Sequence, residues 1–254
     1  MCIRDRFKRD LMVNMYLSKN MLLLVIIQKM SQKSVLIVGA GSGLSASLAR
    51  IFHSKGMKIA LAARNIEKLS SLKQETDALV FKCDSTENKS VHDLFSQTDS
   101  TIGTPEIVIY NPSLRIVKPF VEYDPDEMLQ SIKVNSYGAF LVAHESAKRM
   151  IKSGQGNIFF TGSSASIKGF AKSASFAIGK FGLRGLAQSL ARELHPHNIH
   201  IGHFVIDGGI GREPIGNYQM IHPDEIAKQY FNFYQQDKKA WSWEIEIRTN
   251  TEKF

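Results

Sequence analysis

From residue 34 onward the apolar residues fall into two alternating spacings. Short, nearly continuous apolar runs occur at 35–38, 58–63, 79–83, 107–110 and 158–161, and strand-like runs interrupted by polar residues at 199–206 and 243–248. Runs of that length without polar alternation predict strands buried on both faces, as in a parallel sheet. Between them the apolar positions recur with a helical period. Leu44, Leu48, Ile51 and Phe52 share one face, and so do Leu69 and Leu72, with Asn65 as the cap before them. A third helix is predicted around 91–95. A long helical region then carries Met128, Leu129, Ile132, Tyr137, Phe140 and Leu141. Residues 174–194 form a strong amphipathic helix, with Phe176, Leu183, Leu186, Leu190 and Leu194, and a last helix covers 224–234. Strand and helix alternate without an internal repeat. The expected fold is therefore α/β: a three-layer, doubly wound sheet of about seven parallel strands with helices on both faces.

The first convincing strand begins well inside the chain of 254 residues, which divides the sequence into an N-terminal extension, 1–29, and one domain, 30–254. The extension is basic, with six Lys or Arg against Asp5 and Asp10, and it supplies half of the formal charge of +8. It is expected to be non-native or disordered, with Met30 as the preferred native start. Its apolar run at 21–27 is too short to span a bilayer. A signal-peptide core without a clear cleavage site and a membrane-facing amphipathic tail are the alternatives. The small positive excess on the remaining chain comes with no basic stripe of interleaved aromatics, so no nucleic-acid partner is expected. An anionic ligand accounts for part of that excess. Cys2 and Cys83 form neither a metal nor a redox motif. Their number excludes a disulfide framework, no metal site is expected, and a reducing, cytoplasmic setting fits.

Candidate chemistry begins at the turn after the first strand, Gly39-Ala-Gly41-Ser42-Gly43-Leu44-Ser45. Small residues there let the backbone approach a phosphate, and the following helix start offers unpaired N–H groups and a favourable dipole. Gly39, Ser42, Gly43 and Leu44 are the candidate contacts. The Gly-x3-Gly-x-Ser spacing resembles the Gly-x3-Gly-x-Gly turn of the short-chain dehydrogenase/reductase family, with Ser45 in place of the third glycine. Two later stretches carry the same resemblance: Thr161-Gly-Ser163-Ser-Ala-Ser166, and Phe176-Ala-Ile-Gly-Lys180 followed by a family-like helix to Leu194. The likeness spans about 34–248 and is nearest to an atypical branch with Phe-Ala-x2-Lys in the active helix.

That resemblance implies a dinucleotide cofactor. A strict NAD site places an acid near the end of the second strand, but Ala63 stands there, followed by Arg64. An arginine fork suits a 2′-phosphate, so NADP is expected ahead of NAD. Asp84 matches the family's Asp beside the adenine, with a turn or cap as the alternative role. Asn111 matches the first residue of the family's Asn-Ala-Gly turn, although Pro112 removes a backbone donor next to it. Gly208 matches the glycine that follows the sixth strand, where Asp207 replaces the usual proline and the usual Thr is missing.

The family's catalytic set is Asn, Ser, Tyr and Lys. Asn135, Ser163 and Lys180 match three of them, and Phe176 occupies the Tyr position four residues before Lys180. The residue expected to exchange a proton with the substrate oxygen has no hydroxyl. Tyr110, Tyr137 and Tyr218 are other phenols in the chain. Ser173, seven residues before Lys180, does not restore the Tyr that some enoyl reductases place there. The implied function is oxidoreduction of an unidentified carbonyl or alcohol with non-standard proton transfer. A weakly catalytic NADP-binding regulatory protein or scaffold, and an isomerase or dehydratase using the same pocket, are the alternatives. A short substrate lid is expected around 210–224, lined by Tyr218 or Met220. The family also implies a homodimer or homotetramer packed through two helices that here carry Ser146, Ala147, Met150, Gly182, Gly185, Ala187 and Ala191.

Overall fold

The computed structural model describes residues 33–252. The expectations about residues 1–29, the Met30 start and Cys2 fall outside them. Seven strands form one parallel sheet: β1 Ser34–Val38, β2 Lys58–Ala63, β3 Leu79–Lys82, β4 Ile107–Tyr110, β5 Gly156–Thr161, β6 Ile199–Asp207 and β7 Glu244–Arg248. The helices are α1 Leu44–Ser54, α2 Ser70–Thr76, α3 Asn88–Thr101, α4 Pro125–Ile132, α5 Gly138–Ser153, α6 Ala174–Leu194 and α7 Pro223–Tyr234. Strand order is β3-β2-β1-β4-β5-β6-β7, and every pairing is parallel. The order reverses between β1 and β4, the place where doubly wound sheets open a crevice beyond their carboxyl ends.

Two apolar cores lie on the two faces of the sheet, as the uninterrupted strand runs require. One joins Leu36, Val108, Ile158 and Ile201 to helices α3, α5 and α6. The other joins Val35, Ile37, Ile109 and Phe204 to α1 and α7. Cys83 is a free, buried thiol. Asn65 does not cap a helix: Ile66 precedes the short 3-10 turn Glu67–Leu69 and Leu69 precedes α2, while the Asn65 Oδ1 accepts the Glu67 N–H two residues on at 3.1 Å.

The continuous helical region expected at 128–141 is not continuous. After α4 the chain widens into a π-helical turn, Lys133–Tyr137, before α5 begins. Such single-turn π segments accommodate an extra residue inside a helix and are common at functional sites. Asn135 sits in this turn, fully buried.

Candidate functional site

Beyond the carboxyl ends of β1 to β4 lies a cavity of about 580 Å³, lined by the 38–42 turn, Ala63, Arg64, Lys68, Asp84 and the 111–113 turn. The turn after β1 is held by two backbone bonds, with the Gly39 and Ala40 N–H groups both donating to the Ala62 carbonyl at 2.9 and 3.0 Å. Gly39 has φ +80°, and a Cβ there would stand 2.6 Å from the Pro112 nitrogen. Only glycine fits this left-handed position and this close approach. Gly43 and Leu44 open α1 directly behind the turn. Leu44's side chain is buried in the core, so only its backbone faces forward. Neither Gly43 nor Leu44 lines the cavity, whose wall on this side ends at Ser42.

Ser45 explains itself in the structure. Its hydroxyl donates to the Gly39 carbonyl at 3.0 Å and accepts from Asn111 Nδ2 at 2.7 Å. The departure from a third glycine thus ties the phosphate-sized turn to the loop after β4, and Asn111 is held by that tie. Asp84 behaves as a turn residue, its Oδ1 accepting from the Thr86 N–H at 3.0 Å and the Thr86 hydroxyl at 2.8 Å, while it also faces the cavity. Arg64 is exposed at the rim. Lys68 joins it there, a second cation four residues further along the chain that the sequence reading did not single out.

A second cavity of about 310 Å³ lies beyond β5 and β6. Arg115, Ser163, Ser173, Phe176, Asp207, Gly208, Gly209, Tyr218 and Glu252 contribute to its wall. Gly208 therefore belongs to this cavity and not to the first. Ser163 caps the 3-10 turn Ser164–Ser166, its hydroxyl accepting the Ala165 N–H at 3.1 Å while the Ser166 hydroxyl accepts the Ser163 N–H. Asp207 is buried and paired with Arg248 at the end of β7 and with Lys168 at 3.5 Å. The acid in place of proline ties β6 to β7, a non-local pairing that no local motif announces. Tyr218 lines this wall, whereas Met220 packs against Gly209 and Gly211.

The three phenols separate cleanly. Tyr110 is fully buried, and its hydroxyl donates to the Val134 carbonyl at 2.5 Å; burial pushes its pKa well up. Tyr137 is half exposed on the helix surface, stacked on Phe140. Tyr218 alone reaches the second cavity, with its hydroxyl accepting from the Gly209 N–H at 3.0 Å and donating to Glu252 at 2.7 Å.

Residues 33–210 match the family model described as short chain dehydrogenase. The chain belongs to the short-chain dehydrogenase/reductase family. It is 25% identical over 167 residues to a 3-oxoacyl-(acyl-carrier-protein) reductase of Bos taurus, covering 65% of this chain and 70% of that protein. It is 26% identical over 219 residues to the sorbitol-6-phosphate 2-dehydrogenase of Escherichia coli, covering 80% and 84%. A short-chain dehydrogenase of known structure from Rhodopseudomonas palustris is 33% identical, with a TM-score of 0.77 over 85% of this chain and 98% of that one.

In this short-chain dehydrogenase/reductase the Tyr position of the active helix is Phe176, a nearly buried ring on the wall of the second cavity. Lys180 lies one turn behind it, its ammonium 5.7 Å from the ring centroid. Its Nζ donates to the Thr161 carbonyl at 2.8 Å, and the residue is only 2% exposed. Gly179 lets α6 press against the π-helical turn, since a Cβ there would meet Asn135 Cβ at 2.5 Å. Asn135 in turn grips the loop after β4, with Nδ2 donating to the Leu114 carbonyl at 2.7 Å and Oδ1 accepting the Leu114 N–H at 3.3 Å. Of the four, Ser163 and Phe176 line the second cavity, while Asn135 and Lys180 are buried and do not.

Burial pushes Lys180 down to about 7 from an ordinary value of 10.5. Between those values the unfolded chain holds a proton that the folded chain has released, so this group makes stability rise with pH from about 7 towards 10.5. Moving from pH 7 to pH 9 should gain about 2 kcal/mol from Lys180. Urea unfolding of the wild type and of Lys180→Met at both pH values checks this: the gain should disappear in the variant. An equal gain in both would mean that Lys180 stays charged in the fold.

Among the described residues, no group of three or more His, Cys, Asp or Glu is arranged to hold a metal ion. No described helix is long and apolar enough to cross a membrane.

Proposed function

We propose that the protein is an NADP-dependent oxidoreductase acting on a carbonyl or alcohol, with proton transfer slowed by Phe176. The observation that carries the cofactor choice is the rim of the first cavity, where Ala63 offers no acid to a ribose and Arg64 and Lys68 supply two cations. The residues fit a dinucleotide phosphate. A glycine turn opens onto the cavity, a helix start lies behind it, and Gly41 has no neighbour within 4 Å of a Cβ added there, so room remains against the backbone. Gly39, Ser42, Gly43 and Leu44 would serve the pyrophosphate, Arg64 the 2′-phosphate, and Asp84 and Asn111 the adenine and nicotinamide sides. When bound, the nicotinamide supplies the hydride. Ser163 is suited to hold the substrate oxygen, because its hydroxyl donates to no protein group among the described residues. Lys180 and Asn135 retain the polar support behind the cavity.

A second reading, an NADP-binding regulatory protein with little turnover, is favoured by Phe176 itself. Arg64→Ala separates the cofactor claim from the catalytic one. It should weaken NADPH by about 10–100-fold while NADH changes by no more than about threefold, because a charged hydrogen bond to phosphate is worth about 1.5–3 kcal/mol. Fluorescence titration with both nucleotides measures it, and equal losses would remove the NADP preference. NADPH oxidation over a panel of carbonyls, followed by product analysis, then distinguishes hydride transfer from silent binding.

A homodimer or homotetramer is also proposed. Of the small residues expected at an interface, Ser146, Met150, Ala187 and Ala191 are buried within the chain, while Gly182 and Gly185 are exposed. Larger apolar side chains on α5 and α6 strengthen the proposal, with Phe140, Ile178 and Phe181 at 45%, 51% and 46% exposure. A cytoplasmic setting agrees with the free Cys83 thiol.

A further inference from the structure

The second cavity carries two features that the proposed chemistry does not use. Arg115, on the loop after β4, lies with its guanidinium carbon 5.9 Å from the centroid of the Phe176 ring. Attraction to the ring face holds such a cation without neutralising it. The other charges around the cavity are engaged. Asp207 pairs with Arg248 and Lys168, and Glu252 accepts the Tyr218 hydroxyl. Arg115 takes part in no ion pair among the described residues and stands at the cavity wall.

Ser173 is the second feature. It is 1% exposed, it lines the same cavity, and its hydroxyl has no hydrogen-bond partner among the described residues. Leaving a buried hydroxyl unpaired costs about 1–3 kcal/mol, so a polar group normally meets it. A cation without a counter-ion and a hydroxyl without a partner, on the wall of one small chamber, are complementary to a single kind of ligand.

We propose that the second cavity takes a small oxo acid or hydroxy acid, with Arg115 binding its carboxylate and Ser173 hydrogen-bonding a ligand oxygen. The planar guanidinium matches a carboxylate in two parallel bonds. Glu252 and Tyr218 form an acidic, hydroxyl-bearing part of the wall, which suits neutral oxygens of the ligand and opposes a second anion there. Phe176 thereby acquires a role beyond the loss of a phenol: its ring is the support on which the selecting cation rests. This inference names the substrate class for the oxidoreductase proposed above and rests on that reading.

The test is calorimetric titration of the protein loaded with NADP⁺, so that reduction cannot run. The probes are acetoacetate and 2-oxobutanoate, the methyl ester of each, and dihydroxyacetone phosphate. Each acid should bind about tenfold or more tightly than its ester, in keeping with a bidentate charged pair. Arg115→Met should erase that preference, and Arg115→Lys should recover part of it. Ser173→Ala should weaken acid and ester alike. Arg115 is exposed on a loop, so these variants should fold, and their NADP⁺ affinity should stay within about twofold of wild type, since additivity holds for separate sites. Equal binding of acids and esters, a preference that survives Arg115→Met, or tighter binding of the phosphate ester would overturn the proposal. The same titrations run without nucleotide keep the two claims apart. If NADP⁺ fails to bind, the cofactor reading falls, and the acid-to-ester ratio on the free protein still decides this one.

Discussion

Phe176→Tyr is expected to raise NADPH-dependent carbonyl reduction by about 10²–10⁴-fold, the usual worth of a positioned general acid. The ring already lines the second cavity, and its neighbours are those a catalytic phenol needs. Lys180 is one helical turn away with its ammonium 5.7 Å from the ring centroid, and Ser163 lies on the same wall. Gly179 lets this part of α6 press against Asn135. The substitution adds one oxygen to a side chain that is already 9% exposed, so the fold should tolerate it. Steady-state kcat/KM across a carbonyl panel measures the gain. Adding Lys180→Met to the variant should remove most of it, because the new phenol then loses the Lys180 amine one helical turn away. No gain on any carbonyl would show that something other than the missing hydroxyl limits the reaction.

Gly39→Ala should damage folding and nucleotide binding together. At φ +80° an added Cβ is strained, and here it would also stand 2.6 Å from the Pro112 nitrogen and 2.7 Å from its ring carbons. Backbone and a rigid ring cannot move aside cheaply, so a loss of about 2–4 kcal/mol is expected from urea unfolding. Gly41→Ala is the informative partner. It has no neighbour within 4 Å and an ordinary φ, yet it lines the first cavity. Its stability should change by no more than about 0.5 kcal/mol, while NADPH affinity falls. If Gly41→Ala leaves NADPH binding untouched, the ligand does not lie against this turn.

Most of the architecture was legible because it follows from periodicity. Most of the parallel strands are apolar runs, the edge strand β7 alternates Glu with Ile, and the helices between them show one apolar stripe, so their order could be read directly. The π-helical turn could not. An extra residue in a helix shifts the apolar phase only slightly, and Leu129, Ile132, Tyr137 and Phe140 read as one helix. The turn matters because it buries Asn135 and aims its amide at Leu114. Ser45 was legible as an exception and not as a device, since its partner Asn111 lies 66 residues away. Asp207 hid its purpose for the same reason, because Arg248 reaches it from the neighbouring strand, 41 residues on. Arg115 and Ser173 give no sequence signal for a shared chamber, which forms only where the loop after β4 meets the start of α6.

The central claim is that the nucleotide half of the site persists although the catalytic phenol does not. Calorimetric titration of NADPH into the wild type and Phe176→Tyr tests it most directly. Saturable binding at one site per chain, with dissociation constants within about threefold of each other, is the predicted result, because Phe176 lines the second cavity and not the first. Absence of NADPH binding by the wild type, or binding that appears only when the tyrosine is restored, would contradict it.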